Sequence, residues 1–206
     1  MVELIYNAGY RGGEAYAADA ASVYPQDRQI AVNWQALSLP GLPTRQARPK
    51  HGRTRTTNYP DVTLTGFALH DALGERLERI DWEHTKGRNP KRLLFPAPQG
   101  GWWWASTFSD KYFNVAAAAA GWEARTWVDE HGRHRRLWVH TAHSLRHRFA
   151  RDRIDTYDHE ISELQAVGGW QSAQVVWERY YGQSSDLLAR SGAKLRRPSW
   201  SGPSSG

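Results

Sequence analysis

His143-Ser144-Leu145-Arg146-His147 is the stretch on which the reading of this sequence turns. On a helix, residues three and four apart are neighbours, so His143, Arg146 and His147 would share one face. Leu145 and Phe149 form an adjacent apolar stripe that would anchor such a helix to a core. Two imidazoles and a guanidinium would then be presented together from a buried support. By itself the pentapeptide reads equally well as a basic, solvated helix face. Two histidines at i, i+4 also resemble a zinc-binding pair, but the glutamate that makes such a pair catalytic is missing and no third ligand stands out. No metal is therefore expected.

Working outward, Gly168-Gly169-Trp170 and Arg179-Tyr180-Tyr181-Gly182 lie downstream, with Val175 and Val176 on a helix between them. Tyrosines near a helix end are usually core or interface residues. Upstream, Gly9-Tyr10-Arg11-Gly12-Gly13-Glu14 places an arginine on a turn at a helix start, with Glu14 three residues on, which reads as a capped surface helix. Pro49-Lys50-His51-Gly52-Arg53 sits in a basic run. Arg45, Arg48, Lys50, Arg53 and Arg55 occur there without an acid among them, the usual mark of a solvated loop.

Taken in order and spacing, these blocks resemble the tyrosine recombinases, or phage-type integrases. The family's G-x-R-x-x-E is matched by Gly9, Arg11 and Glu14, and its hairpin lysine by Lys50. Leu94-Phe95-Pro96-Ala97-Pro98-Gln99-Gly100 is similar to its L-F-P and P-x-x-G stretch. H-x-L-R-H is matched by His143 to His147, G-W by Gly169-Trp170, and R-Y by Arg179-Tyr180. The resemblance runs from about Val2 to Gln183. It implies an α+β, mostly α-helical catalytic domain with a small antiparallel sheet over residues 1–200. A separate helical DNA-clamping domain normally precedes the first arginine motif, so its absence here is expected to reflect a trimmed or remnant chain.

The resemblance also implies a chemistry. Tyr180 would attack a DNA phosphodiester, form a 3′-phosphotyrosyl bond and expel a 5′-hydroxyl. Arg11 and Arg146 would neutralise the charge growing on the non-bridging oxygens. His143 would take or hold the tyrosine proton, Lys50 would protonate the leaving oxygen, and Trp170 would donate its indole N–H to phosphate. No cofactor is implied. The partner would be double-stranded DNA at attachment or recombination sites, with a homo-oligomer assembling on it, and the role site-specific integration or excision of a mobile element. Alignment on R-Y selects Tyr180, whereas alignment on Y-G selects Tyr181. A catalytically silent DNA-binding remnant and a relaxing enzyme like the type IB topoisomerases stay open beside the recombinase reading. Phosphate contacts are expected from Arg45, Arg48, Arg53 and Arg55, and from Arg133, Arg135 and Arg136.

Composition narrows the field in the same direction. The chain has 206 residues, 27 Lys+Arg against 21 Asp+Glu, and a net charge of +6. Only five of the basic residues are lysine. Arginine forks match phosphate oxygens in bidentate fashion, so a pI near 9.7 points to a polyanionic partner. There is no cysteine, which excludes disulfide frameworks, thiolate zinc sites and thiol catalysis. No apolar run is long enough to span a membrane and no signal peptide opens the chain, so a cytoplasmic, nucleoid-associated protein is expected.

The local pattern predicts helices over Val2–Asn7 and Gly13–Ser22, one strand over Gln29–Leu37 and a basic loop or hairpin tip over Pro40–Thr57. A returning strand is predicted at Asp61–Leu64. An amphipathic helix follows over Thr65–Glu83, on the spacing of Leu69, Leu73, Leu77 and Ile80. Thr85–Pro98 reads as loop. Thr107 and Asp110 read as a capping pair opening a helix to Ala120. Asp129-Glu130-His131-Gly132 between Trp127 and Trp138 reads as a hairpin, and short helices follow to about Ala189. Ser201–Gly206 reads as a cloning tail.

Overall fold

Helices α1 (Val2–Asn7) and α2 (Gly12–Ala17) flank the turn at Gly9 in the computed structural model, which describes residues 1–39 and 41–181. Gly9 has φ +65°, and a Cβ there would stand 2.4 Å from the Phe149 ring, so only glycine allows the chain to pass this close to the His143 helix. Leu4, Ile5, Ala8, Tyr10 and Ala15 form an apolar cluster with Ile30 and Val32 and with Leu69, Leu73 and Ile80. The second helix is shorter than the sequence suggests. Regular α geometry ends at Ala17, and Ala20–Ser22 is a 3-10 turn.

Three antiparallel strands lie in the order β1 (Val23–Tyr24), β2 (Gln29–Val32), β5 (Arg55–Asn58). Strands β3 (Gln35–Leu37) and β4 (Arg45–Ala47) form a second ladder. The single strand expected over Gln29–Leu37 is thus two. Ile30 and Val32 belong to the first cluster, whereas Ala36, with Trp34 packed beside it, belongs to another built on Tyr16, Trp103, Phe108 and Phe113, and the chain changes ladder between the two. The returning strand is Arg55–Asn58, overlapping the end of the stretch expected to be loop or hairpin tip, and not Asp61–Leu64. Thr57 and Arg55 turn inward to hydrogen-bond partners on α1 and α2, a reason for burial that apolar patterning does not register. Asp61–Leu64 makes only the isolated bridge of Val62 to Ala68.

Helix α3 (Leu69–Thr85) begins after the Gly66 turn, and its expected apolar positions face the core. The run from 105 to 119 is helical throughout, as α4 (Ala105–Phe108), a π-helical stretch (Ser109–Phe113) and α5 (Asn114–Ala119). Thr107 lies inside this run and makes no cap, because buried Trp103 sets the start two residues earlier, at Ala105. Strands β6 (Ala124–Val128) and β7 (His134–Trp138) form the expected hairpin, paired from Ala124↔Trp138 to Val128↔His134. The Asp129 carboxylate accepts the His131 and Arg133 amides at its tip.

Helices α6 (Ala142–Asp155), α7 (Ile161–Gly168) and α8 (Ala173–Val176) follow, with a π-helical turn at Trp177–Tyr181. Phe149, Ala150 and Ile154 of α6 pack with Leu164, Trp170, Val176, Tyr180 and Tyr181. The architecture is α+β and mostly helical, with small antiparallel sheets. Gly182, the end of the expected terminal helix and Ser201–Gly206 lie outside the described residues. Among those described, no helix is long and apolar enough to cross a membrane.

Candidate active site

Where α1 ends, its last carbonyls lack helical partners. Asn7 O accepts from Arg153 at 3.2 Å, and Ala8 O accepts from Thr57 Oγ1 at 3.0 Å. Gly9 O accepts from both Arg55, at 3.2 Å, and Arg146. These acceptors draw guanidinium groups from β5 and α6 to one point beside the first residue of α2.

Arg11 caps α2. Its amide donates to Glu14 Oε2 at 2.8 Å, its guanidinium donates to Glu14 Oε1 at 2.7 Å, and its other terminal nitrogen donates to Gly169 O at 3.2 Å. Glu14 is fully buried at its side chain, and Arg55, 6% exposed at its own, donates to both carboxylate oxygens. Burial alone would raise the Glu14 pKa. The Arg55 hydrogen bonds and the Arg55 and Arg11 charges outweigh it and hold the carboxyl at about 2.

Helix α7 ends in Gly168-Gly169. A side chain at Gly168 would overlap the Trp170 ring, and Gly169 closes the helix at φ +64° with Arg55 lying against it. The Gly168 carbonyl accepts from Arg146 at 2.6 Å, so consecutive carbonyls hold the two forks, Arg146 and Arg11. The Arg146 guanidinium also lies 4.4 Å from the Trp170 ring centre. Arg146 is 2% exposed. Burial, then the Arg11 and Arg55 charges, push its pKa down to about 9, which leaves it charged at neutral pH.

One turn along α6, His143 and His147 meet edge to face, ring centres 4.9 Å apart. The His147 Nδ1 stands 2.9 Å from the Tyr180 hydroxyl oxygen. Trp170 packs edge-on against the Tyr180 ring, centres 5.3 Å apart. Desolvation lowers the pKa of both histidines, aided for His143 by His147, Arg146, Arg11 and Arg179 and for His147 by Arg179 and Arg146. Burial raises the Tyr180 pKa, with Arg146 and Arg179 opposing it. Tyr181 turns the other way. Its hydroxyl donates to His159 O and its ring stacks on Trp177. Neighbours on a helix point about 100° apart, and only Tyr180 faces the histidines.

A cleft of about 320 Å³ gathers Arg11, Lys50, His143, Arg146, Trp170 and Tyr180, all six residues singled out for chemistry. Lys50 enters from the exposed turn between β4 and β5. Arg179, His51 and Gln171 also line the cleft, and sequence reasoning did not select them. Nor did it give His147 a role, although the i, i+4 spacing already placed it beside His143.

The expected phosphate-binding arginines divide. Arg53 stands at the cleft and donates to Gln171 O at 3.3 Å. Arg45 and Arg48 are exposed on and just after β4, Arg48 over the Trp34 ring at 4.3 Å. Arg133, Arg135 and Arg136 are exposed on the β6–β7 hairpin and do not line the cleft. Arg55 does not fit the expected surface role: its guanidinium donates to Glu14, Gly9 O and Val167 O, and its side chain is 6% exposed. Among the described residues no group of three or more His, Asp or Glu side chains could hold a metal ion.

Comparison with solved structures gives the fold its relatives. The chain is similar to the Tn1549 transposon integrase in complex with transposon right end DNA, with a TM-score of 0.65 and 16% identity over 95% of this chain and 58% of that one. It is similar to the XerA recombinase, with a TM-score of 0.59 and 17% identity over 96% and 57%. It is also similar to the XerH site-specific recombinase bound to its palindromic difH substrate, with a TM-score of 0.55 and 16% identity over 95% and 44%. The chain has the tyrosine-recombinase fold and spans between 44% and 58% of the length of these three proteins. No protein-family model matches it. No curated protein matches it.

Proposed function

We propose that this chain breaks and rejoins DNA strands by transesterification through Tyr180, in the service of site-specific integration or excision. The observation that carries this reading is the Tyr180 hydroxyl, 2.9 Å from an imidazole nitrogen, in a cleft also lined by Arg11, Arg146, Arg179 and Lys50. A phenol with a raised pKa is a poor nucleophile until a base takes its proton and cations accept the charge that develops. The imidazole against Tyr180 and the guanidinium groups lining the cleft support this reading on both counts.

In this mechanism a scissile phosphate enters the cleft with its non-bridging oxygens toward Arg11 and Arg146. Each fork has its orientation set by a glycine carbonyl, so little reorganisation accompanies the chemical step. The Tyr180 oxygen bonds to phosphorus, the bond to the 5′-oxygen breaks, and Lys50 supplies that oxygen with a proton, which an arginine in its place would not release. The Trp170 indole walls the site and donates toward phosphate. The linkage keeps the phosphodiester energy, and the reverse sequence rejoins a strand. Double-stranded DNA is the proposed partner, with copies of the chain assembling on a recombination site. Arg45, Arg48 and Arg53 contact phosphates around the cleft, and Arg133, Arg135 and Arg136 do so from the hairpin.

The test is incubation with a nicked suicide duplex carrying a candidate attachment site, followed by peptide mapping of DNA-linked protein. The expected result is an adduct on Tyr180, abolished in Tyr180→Phe with DNA affinity retained and preserved in Tyr181→Phe. An adduct on Tyr181 would move the nucleophile by one residue. Adducts in both variants would overturn the reading.

A further inference from the structure

We infer that His147, and not His143, is the base that takes the proton of Tyr180; this rests on the strand-transfer reading above and assigns one step within it. His147 Nδ1 is the group found against the nucleophilic oxygen, at 2.9 Å. His143 lies one turn earlier on α6, edge to face with His147, and lines the cleft that His147 backs through Tyr180. His147 is held by its position on a helix whose neighbouring residues Arg146 and Phe149 are buried, and Tyr180 by its packing against Trp170. Their approach is therefore set by two packed elements and not by a loop.

The electrostatics suit the role. The groups that face His147 are Arg146 and His143 on its own helix, and Arg179 and Tyr180 from the turn packed against it. Burial and the two guanidinium charges favour the neutral ring, which is the form that accepts a proton. With Nδ1 as acceptor, the ring carries its hydrogen on Nε2. In the step itself the Tyr180 O–H bond breaks and its proton passes to Nδ1, while the phenolic oxygen bonds to phosphorus and the leaving oxygen departs with the electron pair of the broken P–O bond. The imidazolium left behind holds the proton for the return reaction. His143 is then free to face the phosphate.

The experiment isolates proton removal from leaving-group protonation. Thymidine 3′-(4-nitrophenyl phosphate) is the probe: its aryl oxide leaves without a proton, so Lys50 has no part, and release of 4-nitrophenolate reports attack by Tyr180. His147→Asn keeps an acceptor near Nδ1 but takes up no proton, and should slow the first turnover by roughly a hundredfold or more, the scale of general-base catalysis. A fluorinated tyrosine at position 180, with a more acidic phenol, should restore most of that rate in His147→Asn and little in His143→Asn. Restoration in His143→Asn alone, or an unchanged rate in His147→Asn, would overturn the assignment. Nitrogen-15 NMR supplies a readout independent of folding of the His147 variant. Tyr180→Phe removes the hydrogen bond that favours neutral His147, so the His147 pKa should rise while that of His143 stays; no movement at His147 would also overturn it. If nitrophenolate release persists in Tyr180→Phe, the strand-transfer reading falls instead.

Discussion

The interior behind the cleft and the β6–β7 hairpin are both rich in arginine, and they use it in opposite ways. In that interior, Arg55, Arg146 and Arg153 are buried or nearly so at their side chains, and every one is committed to a carboxylate or a backbone carbonyl. On the hairpin, Arg125, Arg133, Arg135 and Arg136 are exposed, and Arg135 is held by the Asp129 carboxylate at the tip. Charge in the first region fixes geometry. Charge in the second is left for long-range attraction, which salt screens. A basic run in the sequence therefore carries two meanings, and Arg53 and Arg55, two residues apart, fall on opposite sides of the division.

The largest effect should come from the buried side. Arg55→Ala leaves Glu14 charged and without its main partner in the interior. It should cost about 3–5 kcal/mol of stability, the scale for breaking a buried pair, read as a drop in the denaturation midpoint. A loss under about 1 kcal/mol would mean that the network adds nothing beyond packing.

Next, Arg146→Lys and Arg11→Lys keep the charge but lose the fork that each glycine carbonyl orients. The rate of adduct formation should fall roughly 10²–10³-fold with DNA affinity little changed, measured under single-turnover conditions. Loss of affinity in step with rate would make these arginines binders and not stabilisers of developing charge.

Acid should separate the Glu14 network from the histidines without any mutation. The Glu14 carboxyl, held at about 2 against an ordinary value of 4.5, contributes stability that is complete above 4.5 and lost as the pH falls toward 2. The histidines act in the same direction at higher pH. Their lowered values mean the unfolded chain binds more protons, so stability falls as the pH drops below their ordinary value of 6.5. Glu14→Gln should remove the lower phase of an unfolding-versus-pH curve and leave the upper one.

The smallest structural effect belongs to the hairpin. Replacing Arg133 and Arg136 with Ala should change stability by no more than about 0.5 kcal/mol. It should reduce the slope of log K against log salt for DNA by up to about 1.8 if both touch phosphate, and Arg53→Ala by up to about 0.9. An unchanged slope would place the DNA elsewhere.

What the sequence made legible follows the same line. The order and spacing of the Arg11, Lys50, His143–His147, Trp170 and Arg179-Tyr180 blocks carried a family resemblance, and the residues it singled out line one cleft. Ile30, Leu73 and Ile80 were legible as core because apolar periodicity reports burial directly. Strand β5 was not. Arg-Thr-Thr-Asn is polar, and its inward side chains are satisfied by residues more than forty positions away in the chain, at Ala8 and Glu14. The break between β2 and β3 was hidden for a related reason: alternation continues through Trp34 while the cluster it serves changes. His147 was visible on the right face, but its partner was not, since the approach of Tyr180 depends on how the turn Trp177–Tyr181 after α8 packs against α6.

The hairpin also closes on itself. Val139 N donates to Glu123 O at 3.1 Å where its two legs meet, and just below, Trp122 and His140 stack edge to face, ring centres 5.8 Å apart, with Trp122 in turn against Phe113. Everything beyond that junction is a cassette. Its replacement by a short turn would leave the entry into α6 where it is, so the arm can change in length or sequence without disturbing the buried arginine network.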